Sequence, residues 1–205
     1  MKTVKTLLRG LAAIALTLPL LANAAAVPGQ PAPDFSVKDA AGKTHALADY
    51  KGQWLVLEWF NKECPYVKKH YGSNNMQTLQ GKYTGKNVKW LTVISSAEGK
   101  QGYFTAEKAI EEGRNHKLAS SAPFLLDADG KLGKAYDAKT TPHIFIVNPQ
   151  GVVVYAGAID DNDSANPAVI PQSKNYLAAA LDEGLAGKPI STAASRPYGC
   201  SIKYL

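Results

Sequence analysis

Runs of apolar residues along the chain mark the strands of a central sheet. Residues 54–60 and 88–94 are almost continuously apolar, which is typical of strands buried on both faces in an α/β fold. Residues 35–38 and 43–47 alternate between apolar and polar positions across a glycine-containing turn, and this pattern predicts a small β-hairpin. Three further strands are predicted at 124–126, 143–147 and 152–158.

Between these strands, apolar residues recur at helical spacing. The segment 65–83 predicts two helices with an interruption at 72–75, where glycine, serine and two asparagines disfavour a continuous helix. Three further helices are predicted: one at about 105–115, a short one ending around Tyr136 and one at about 173–186. Strands and helices that alternate in this way indicate an α/β fold with a mixed central sheet.

The chain length fits a single folded unit with extensions. A sequence of 205 residues is long enough for one hydrophobic core and too short for two full domains. The last segment contains Pro189 and Pro197 and has no periodicity, so we expect an extended tail. We predict a signal peptide at 1–24, a proline-rich linker at 25–33, the α/β domain at 34–187 and the tail at 188–205.

The first 24 residues have the three parts of a secretory signal peptide. Lys2, Lys5 and Arg9 form a basic start, residues 11–21 are uncharged and mostly apolar, and Ala22-Asn-Ala24 is a small-residue cleavage site. The apolar run is shorter than the roughly 18 residues that span a bilayer. We therefore expect export, most simply to a bacterial periplasm, with cleavage near Ala24 and no integral membrane segment afterwards.

The charge of the chain does not indicate a nucleic-acid partner. The formal net charge is +6, and removing the three leader cations leaves +3 (6 − 3). Only Arg114 and Arg196 remain as arginines, and the lysines are scattered among acidic residues. The acidic run 160–163 lacks the spacing of a calcium loop and predicts a solvated loop.

Cys64 and Cys200 are the two cysteines of the chain, too few for a disulfide-rich scaffold or a cysteine-rich zinc site. Cys64 follows a buried strand and begins a helix, where backbone N–H groups and the helix dipole stabilise a thiolate. Lys68 and Lys69 lie one turn further on and add positive potential. We predict that Cys64 is a reactive nucleophile.

The order of elements, with a cysteine at the first strand-to-helix junction, resembles the thioredoxin fold. The Pro31-Ala-Pro-Asp-Phe35 opening, the hairpin before the buried strand and the segment 103–124 are similar to the larger redoxins of the alkyl-hydroperoxide-reductase and thiol-specific-antioxidant group. This resemblance implies a thioredoxin-like α/β domain with an N-terminal hairpin. It also implies a thiol-based oxidoreductase that uses neither a metal nor an organic cofactor.

The residues around Cys64 depart from two patterns of that superfamily. Val67 stands where thioredoxins have the second cysteine of Cys-x-x-Cys, so Cys64 needs another thiol to resolve it. In the Pro-x-x-x-Thr-x-x-Cys pattern of peroxiredoxins, the proline and threonine positions hold Leu57 and Asn61. Both absences count against peroxide activation, although Asn61 or a nearby arginine could still donate a hydrogen bond to a peroxide oxygen.

Thr141-Pro142 precedes a strand, where thioredoxin-like proteins keep a cis-proline that faces the nucleophile. The resemblance implies that this bond is cis and that the Thr141 backbone offers hydrogen bonds to an extended partner. We expect the substrate-binding residues around the thiol to be Trp59, Asn61, Pro65, Tyr66, Thr141 and Pro142.

Cys200 resembles the C-terminal resolving cysteine of two-cysteine redoxins. In one interpretation Cys64 and Cys200 cycle between thiols and a disulfide, exchanging with protein thiols and disulfides or with peroxide, and an external thiol reductant restores them. The sequence leaves a thiol-dependent peroxidase as one alternative. A periplasmic binding or assembly module with a permanent Cys64–Cys200 disulfide is another. It also leaves open whether Cys200 serves its own chain or a second subunit.

Overall fold

The computed structural model describes residues 25–116 and 122–205. The predicted signal peptide therefore lies outside the described residues. Within them, the alternating apolar segments form two small antiparallel strands, β1 (Ser36–Lys38) and β2 (Thr44–Ala46), as the hairpin pattern predicts. A 3-10 helix over Leu47–Tyr50 leads from this hairpin towards the main sheet.

The main sheet has five strands: β3 (Leu55–Trp59), β4 (Lys89–Ile94), β5 (Phe124–Leu126), β7 (His143–Val147) and β8 (Val153–Gly157). Their order across the sheet is β5-β4-β3-β7-β8. Strand β3 is central, parallel to β4 and antiparallel to β7. All five residues of β3 and five of the six residues of β4 are buried, so the two apolar runs indicated two-sided burial correctly.

Five helices flank the sheet: α1 (Pro65–Gly72), α2 (Asn75–Thr84), α3 (Ala106–Asn115), α4 (Lys131–Ala135) and α5 (Tyr176–Leu185). The predicted interruption between α1 and α2 is confirmed, since Asn74 adopts a left-handed φ of 62° there. A 3-10 helix over Pro167–Gln172 precedes α5, which begins after Asn175, whose side-chain oxygen accepts from Ala178 N as an N-cap.

The sheet separates two hydrophobic clusters. One contains Val56 and Phe60 of the central strand region together with Cys64 and the apolar faces of α1, α2 and α5. The other contains Leu57 and Trp59 with the N-terminal hairpin and α4. This division follows from the two-residue repeat of a strand, which sends neighbouring side chains to opposite faces.

The two ends of the described chain lie against the folded unit. Ala32 N donates to Gly151 O at 2.8 Å, and Gly29 N donates to Val153 O at the same distance. At the other end, Cys200–Ser201 form strand β9, which pairs with the two-residue strand β6 (Thr140–Thr141) just before Pro142. The tail therefore returns to the carboxyl-terminal edge of β3, where Cys64 lies.

Candidate active site around two thiols

Cys64 occupies the N-cap position of α1. Its φ and ψ of −69° and 124° are extended, and Pro65 takes the first helical position, where its missing N–H costs no hydrogen bond. Cys64 O accepts from Lys68 N at 2.9 Å, which closes the first turn of the helix. The thiol thus lies at the positive end of the helix dipole, as the sequence predicts, and it is fully buried.

The Thr141-Pro142 peptide bond is cis, and the prediction from the resemblance is confirmed. The Cys64 thiol donates a hydrogen bond to Thr141 O, with an Sγ-to-O distance of 2.9 Å. These two residues are separated by 77 positions in the sequence, so only the fold brings them together.

The tail places Cys200 against the same threonine. Cys200 is the antiparallel partner of Thr141 in the β6–β9 pair, and Thr141 Oγ1 donates to Cys200 O at 3.4 Å. Gly199 has a φ of 129°, and a Cβ atom at this position would overlap the Thr141 carbonyl group. Glycine is required here because the two backbones approach too closely for any side chain.

Cys64 and Cys200 are both free thiols, and their side chains interact directly. Burial, together with hydrogen bonding and charge interaction with Cys64, raises the pKa of the Cys200 thiol to about 11. Cys200 is partly exposed, whereas Cys64 has no exposed surface. Cys200 is therefore the more solvent-accessible of the two cysteines.

The other predicted binding residues are distributed unevenly around this pair. Pro65 is exposed, and the ring of Tyr66 packs against that of Tyr198 in the tail at a centroid distance of 5.4 Å. Asn61 is buried, and its Oδ1 accepts from Glu63 N at 2.9 Å. The Asn61 amide oxygen therefore supports the loop before Cys64.

Trp59 does not line the thiol site, contrary to the sequence-based expectation. It points into the cluster on the opposite face of the sheet, where its Nε1 donates to Ser95 Oγ at 3.0 Å. The reason is strand geometry: Trp59 is the last residue of β3 and alternates with Glu58 and Phe60, which face the Cys64 side.

The acidic run 160–163 agrees with the predicted solvated loop at Asp161 and Asp163, which are exposed, but not at Asp160. Asp160 is buried and forms an ion pair with Lys69, with 2.9 Å between Nζ and Oδ2. The charge of Lys69 is therefore neutralised locally and does not simply add positive potential at Cys64. The sequence around Lys69 does not indicate this ion pair, because Asp160 is 91 positions away.

Glu58 is a second buried acid that the sequence did not single out. Its carboxylate accepts hydrogen bonds from Tyr71 Oη at 2.7 Å, Trp90 Nε1 at 2.9 Å and Gln80 Nε2 at 3.2 Å. Burial raises the pKa of Glu58 from 4.5 to about 7, against the opposing effect of these three hydrogen bonds. A charged residue inside an otherwise apolar strand was the available signal.

Residues 25–116 and 122–205 contain neither a cluster suited to a metal ion nor a membrane-spanning helix. In these ranges no group of three or more His, Cys, Asp or Glu side chains is arranged to hold a metal ion. No helix in the same ranges is both long and apolar enough to cross a membrane.

Several curated proteins are similar to part of this chain. Thiol-disulfide oxidoreductase ResA of Bacillus subtilis is 29% identical over 126 residues, which are 62% of this chain and 64% of ResA. The chain thus spans less than two thirds of that relative. Peroxiredoxin Bcp of the same organism is 26% identical over 139 residues, 57% of this chain and 88% of Bcp.

Solved structures resemble the whole fold more completely. An uncharacterized conserved protein from Geobacillus kaustophilus has a TM-score of 0.76 at 27% identity, covering 88% of this chain and 93% of its own. A hypothetical protein from Sinorhizobium meliloti has a TM-score of 0.74 at 26% identity, covering 87% of this chain and 95% of its own.

The thioredoxin-like sheet, the cysteine at the start of α1 and the cis-proline beside it agree with the result of a family comparison. The sequence profile of the AhpC/TSA family matches residues 28–156, which are more than half of the chain. The chain therefore belongs to the AhpC/TSA family.

Proposed function

We propose that this protein is a thiol-disulfide oxidoreductase in which Cys64 is the nucleophile and Cys200 the resolving thiol. The observation that carries this proposal is the convergence of both thiols on one residue. Cys64 donates to Thr141 O at 2.9 Å, and Cys200 is the strand partner of the same threonine. Disulfide exchange needs two sulfurs that can approach within bonding distance, and the contacts of both cysteines with Thr141 support such an approach within one chain.

The reaction transfers two electrons from the protein to a client disulfide. The Cys64 thiolate attacks one client sulfur, the client S–S bond breaks, and a client thiolate leaves. The Cys200 thiolate then attacks Cys64 Sγ in the mixed disulfide, which forms the Cys64–Cys200 disulfide and releases the second client thiolate. The client disulfide gains two electrons and two protons, and the two cysteines of the protein lose the same number of each.

An external thiol reductant returns the electrons by attacking the internal disulfide. We propose that it attacks Cys200, because Cys200 is partly exposed and Cys64 is buried. Cys64 then leaves as a thiolate at the N-terminus of α1, where the helix dipole favours a negative charge. A second reductant thiolate completes the step by resolving the mixed disulfide on Cys200.

A client peptide would bind where the tail now lies. Thr141, followed by the cis Pro142, provides the backbone edge that pairs with the tail, and Pro65 and Tyr66 form the start of α1 next to Cys64. A client that reaches Cys64 must therefore displace the tail from this edge. The predicted signal peptide supports an exported protein whose clients lie outside the cytoplasm.

Disulfide exchange is favoured over peroxide reduction by the surroundings of Cys64. The two positions that carry the peroxiredoxin proline and threonine hold Leu57, which points to the opposite face of the sheet, and Asn61, whose amide oxygen already binds Glu63 N. Leu57 has no hydrogen-bond donor in its side chain, so of these two residues only the Asn61 amide group could donate to a peroxide oxygen.

The test combines mass spectrometry with turnover of a disulfide substrate. The wild type is incubated in glutathione redox buffers, and the expected species is an intramolecular Cys64–Cys200 disulfide that forms and is lost reversibly. Cys64→Ser should abolish reduction of a disulfide substrate, and Cys200→Ser should accumulate a mixed disulfide on Cys64. A disulfide that dithiol reductants cannot open would refute the proposal in favour of a structural role. Peroxide consumption that exceeds disulfide reduction would refute it in favour of a peroxidase.

A further inference from the structure

A buried polar cluster lies beside the thiol pair and is not used by the proposed reaction. It consists of Lys69 and His70 on α1, Asp160 after β8 and Tyr198 in the tail. The side chains of Lys69 and His70 have no exposed area, and that of Asp160 is 2% exposed. Burying a lysine and an aspartate is unfavourable unless all their polar atoms find partners, so the contacts of this cluster are informative.

The Tyr198 hydroxyl is the point at which the cluster converges. It donates to Asp160 Oδ1 and accepts from Lys69 Nζ at 3.3 Å. Burial and the contact with Asp160 raise the pKa of Tyr198 far above its ordinary range, so the hydroxyl keeps its proton. The Lys69 ammonium group also lies 5.2 Å from the centre of the Tyr198 ring, within cation–π range.

His70 supplies the remaining hydrogen bond to this hydroxyl. Burial lowers the pKa of His70 to about 4, so the ring is neutral near pH 7. Asn75 Nδ2 donates to His70 Nδ1 at 2.8 Å, which leaves the proton on Nε2, 3.2 Å from the Tyr198 hydroxyl. The hydroxyl thus accepts two hydrogen bonds and donates one, which satisfies it completely.

Tyr198 is two residues before Cys200, and the intervening Gly199 is in contact with Thr141. Seating the tyrosine therefore fixes the segment that carries the resolving thiol. The dependence is mutual, because withdrawing Tyr198 leaves the buried Lys69, His70 and Asp160 without one of their partners. When Tyr198 is withdrawn, Lys69 Nζ still donates to Asn162 O at 2.7 Å. The Lys69 side chain therefore stays in position to bind the tyrosine again.

We propose that Tyr198 is a positioning residue for the redox pair: the Lys69–His70–Asp160 cluster holds its hydroxyl and so keeps Cys200 seated over Cys64. This inference rests on the proposed function and adds to it the residue that holds the resolving thiol, Cys200, in position. Tyr198 does not touch the reacting sulfurs in this mechanism. Its hydroxyl increases the fraction of time for which the tail is closed, that is, paired with Thr141 and covering Cys64.

The test measures tail opening through the reactivity of Cys64 in the reduced protein. Iodoacetamide reaches a buried thiol only in the open state, so the alkylation rate reports the open population. We expect Tyr198→Phe, which removes only the hydroxyl, to raise the alkylation rate of Cys64 about tenfold, the factor that corresponds to about 1.4 kcal/mol. Alkylation of the partly exposed Cys200 should change much less. Peptide mass spectrometry assigns each adduct.

A matched control separates positioning from general destabilisation. Tyr83→Phe removes another buried tyrosine hydroxyl, one that donates to Ala178 O at 3.1 Å between α2 and α5. It should leave Cys64 alkylation unchanged even where it lowers the melting temperature. Asp160→Asn provides a second variant of the cluster and should increase Cys64 alkylation in the same direction as Tyr198→Phe.

The outcomes distinguish this inference from the function on which it rests. Unchanged Cys64 alkylation in folded Tyr198→Phe refutes the positioning role, even if the wild type forms a reversible Cys64–Cys200 disulfide. An equal increase in Tyr83→Phe also refutes it, because the effect would then be global. A wild type without a reversible disulfide refutes the proposed function, and increased alkylation in Tyr198→Phe would then support the tail contact alone.

Discussion

Glu58 makes the stability of this protein depend on pH. Its side chain is completely buried in the central strand, and its three hydrogen-bond partners, Tyr71, Gln80 and Trp90, are all neutral. Burial raises its pKa to about 7 from an ordinary value of 4.5. The folded protein therefore holds a proton on Glu58 in a pH range where the unfolded chain has released it.

The sign and size of the effect follow from this difference. Between pH 4.5 and about 7 the native state binds more protons at Glu58 than the unfolded state, so the free energy of unfolding falls as the pH rises. The two pKa values differ by about 2.5, which at about 1.4 kcal/mol per pKa unit corresponds to about 3 kcal/mol. Above about pH 7 this loss is complete and the contribution of Glu58 is constant.

Glu58→Gln isolates this contribution. An amide oxygen can accept from Trp90 and Gln80 while its NH₂ group donates to the Tyr71 oxygen, so glutamine imitates the protonated acid. His70 and His143, whose pKa values burial lowers to about 4, make stability rise with pH over part of the same range. They are unchanged in the variant, so we compare urea unfolding of the two reduced proteins from pH 4.5 to 8 by tryptophan fluorescence.

Relative to the wild type, Glu58→Gln should gain about 3 kcal/mol of stability between pH 4.5 and 8. Glu63→Gln is the control for loss of one carboxylate, because Glu63 is exposed, and its effect should stay below about 0.5 kcal/mol throughout. A stability difference between Glu58→Gln and the wild type that does not vary with pH would show that the pKa of Glu58 is the same in the folded and unfolded chains, and would refute this reasoning.

Two further substitutions test contacts near the site and beyond it. Gly199→Ala should push β9 away from Thr141 and increase alkylation of Cys64. The control Gly72→Ala should not, because a Cβ atom at Gly72 would lie in open space. Equal alkylation of Cys64 in the two variants would contradict the close approach of Gly199 to Thr141. Asp127→Ala should lower the free energy of unfolding by about 1–3 kcal/mol, because its carboxylate accepts from Leu132 N, Gly133 N and Ser95 Oγ. Chemical denaturation checks this against the exposed Asp129→Ala, and a loss no larger than in that control would contradict it.

Much of the fold could be predicted because its signals are local. Continuous apolar runs marked β3 and β4, and a polar, glycine-containing stretch marked the break between α1 and α2. The position of Cys64 at a helix start follows from the strand that ends before it and from Pro65 after it. Trp59 was misplaced because an apolar run buried on both faces carries no alternation that assigns its residues to either side.

The sequence by itself determined the elements, the thioredoxin-like order and the need for a second thiol, since Val67 leaves Cys64 without a local partner. Only the tertiary structure decided that Cys200 pairs with Thr141 and that Tyr198 meets Lys69, contacts across 59 and 129 residues. The physical reason is that periodicity and capping act within a few turns of chain. The partner of a buried charge or thiol depends instead on how distant segments fold back, and no local pattern records that choice.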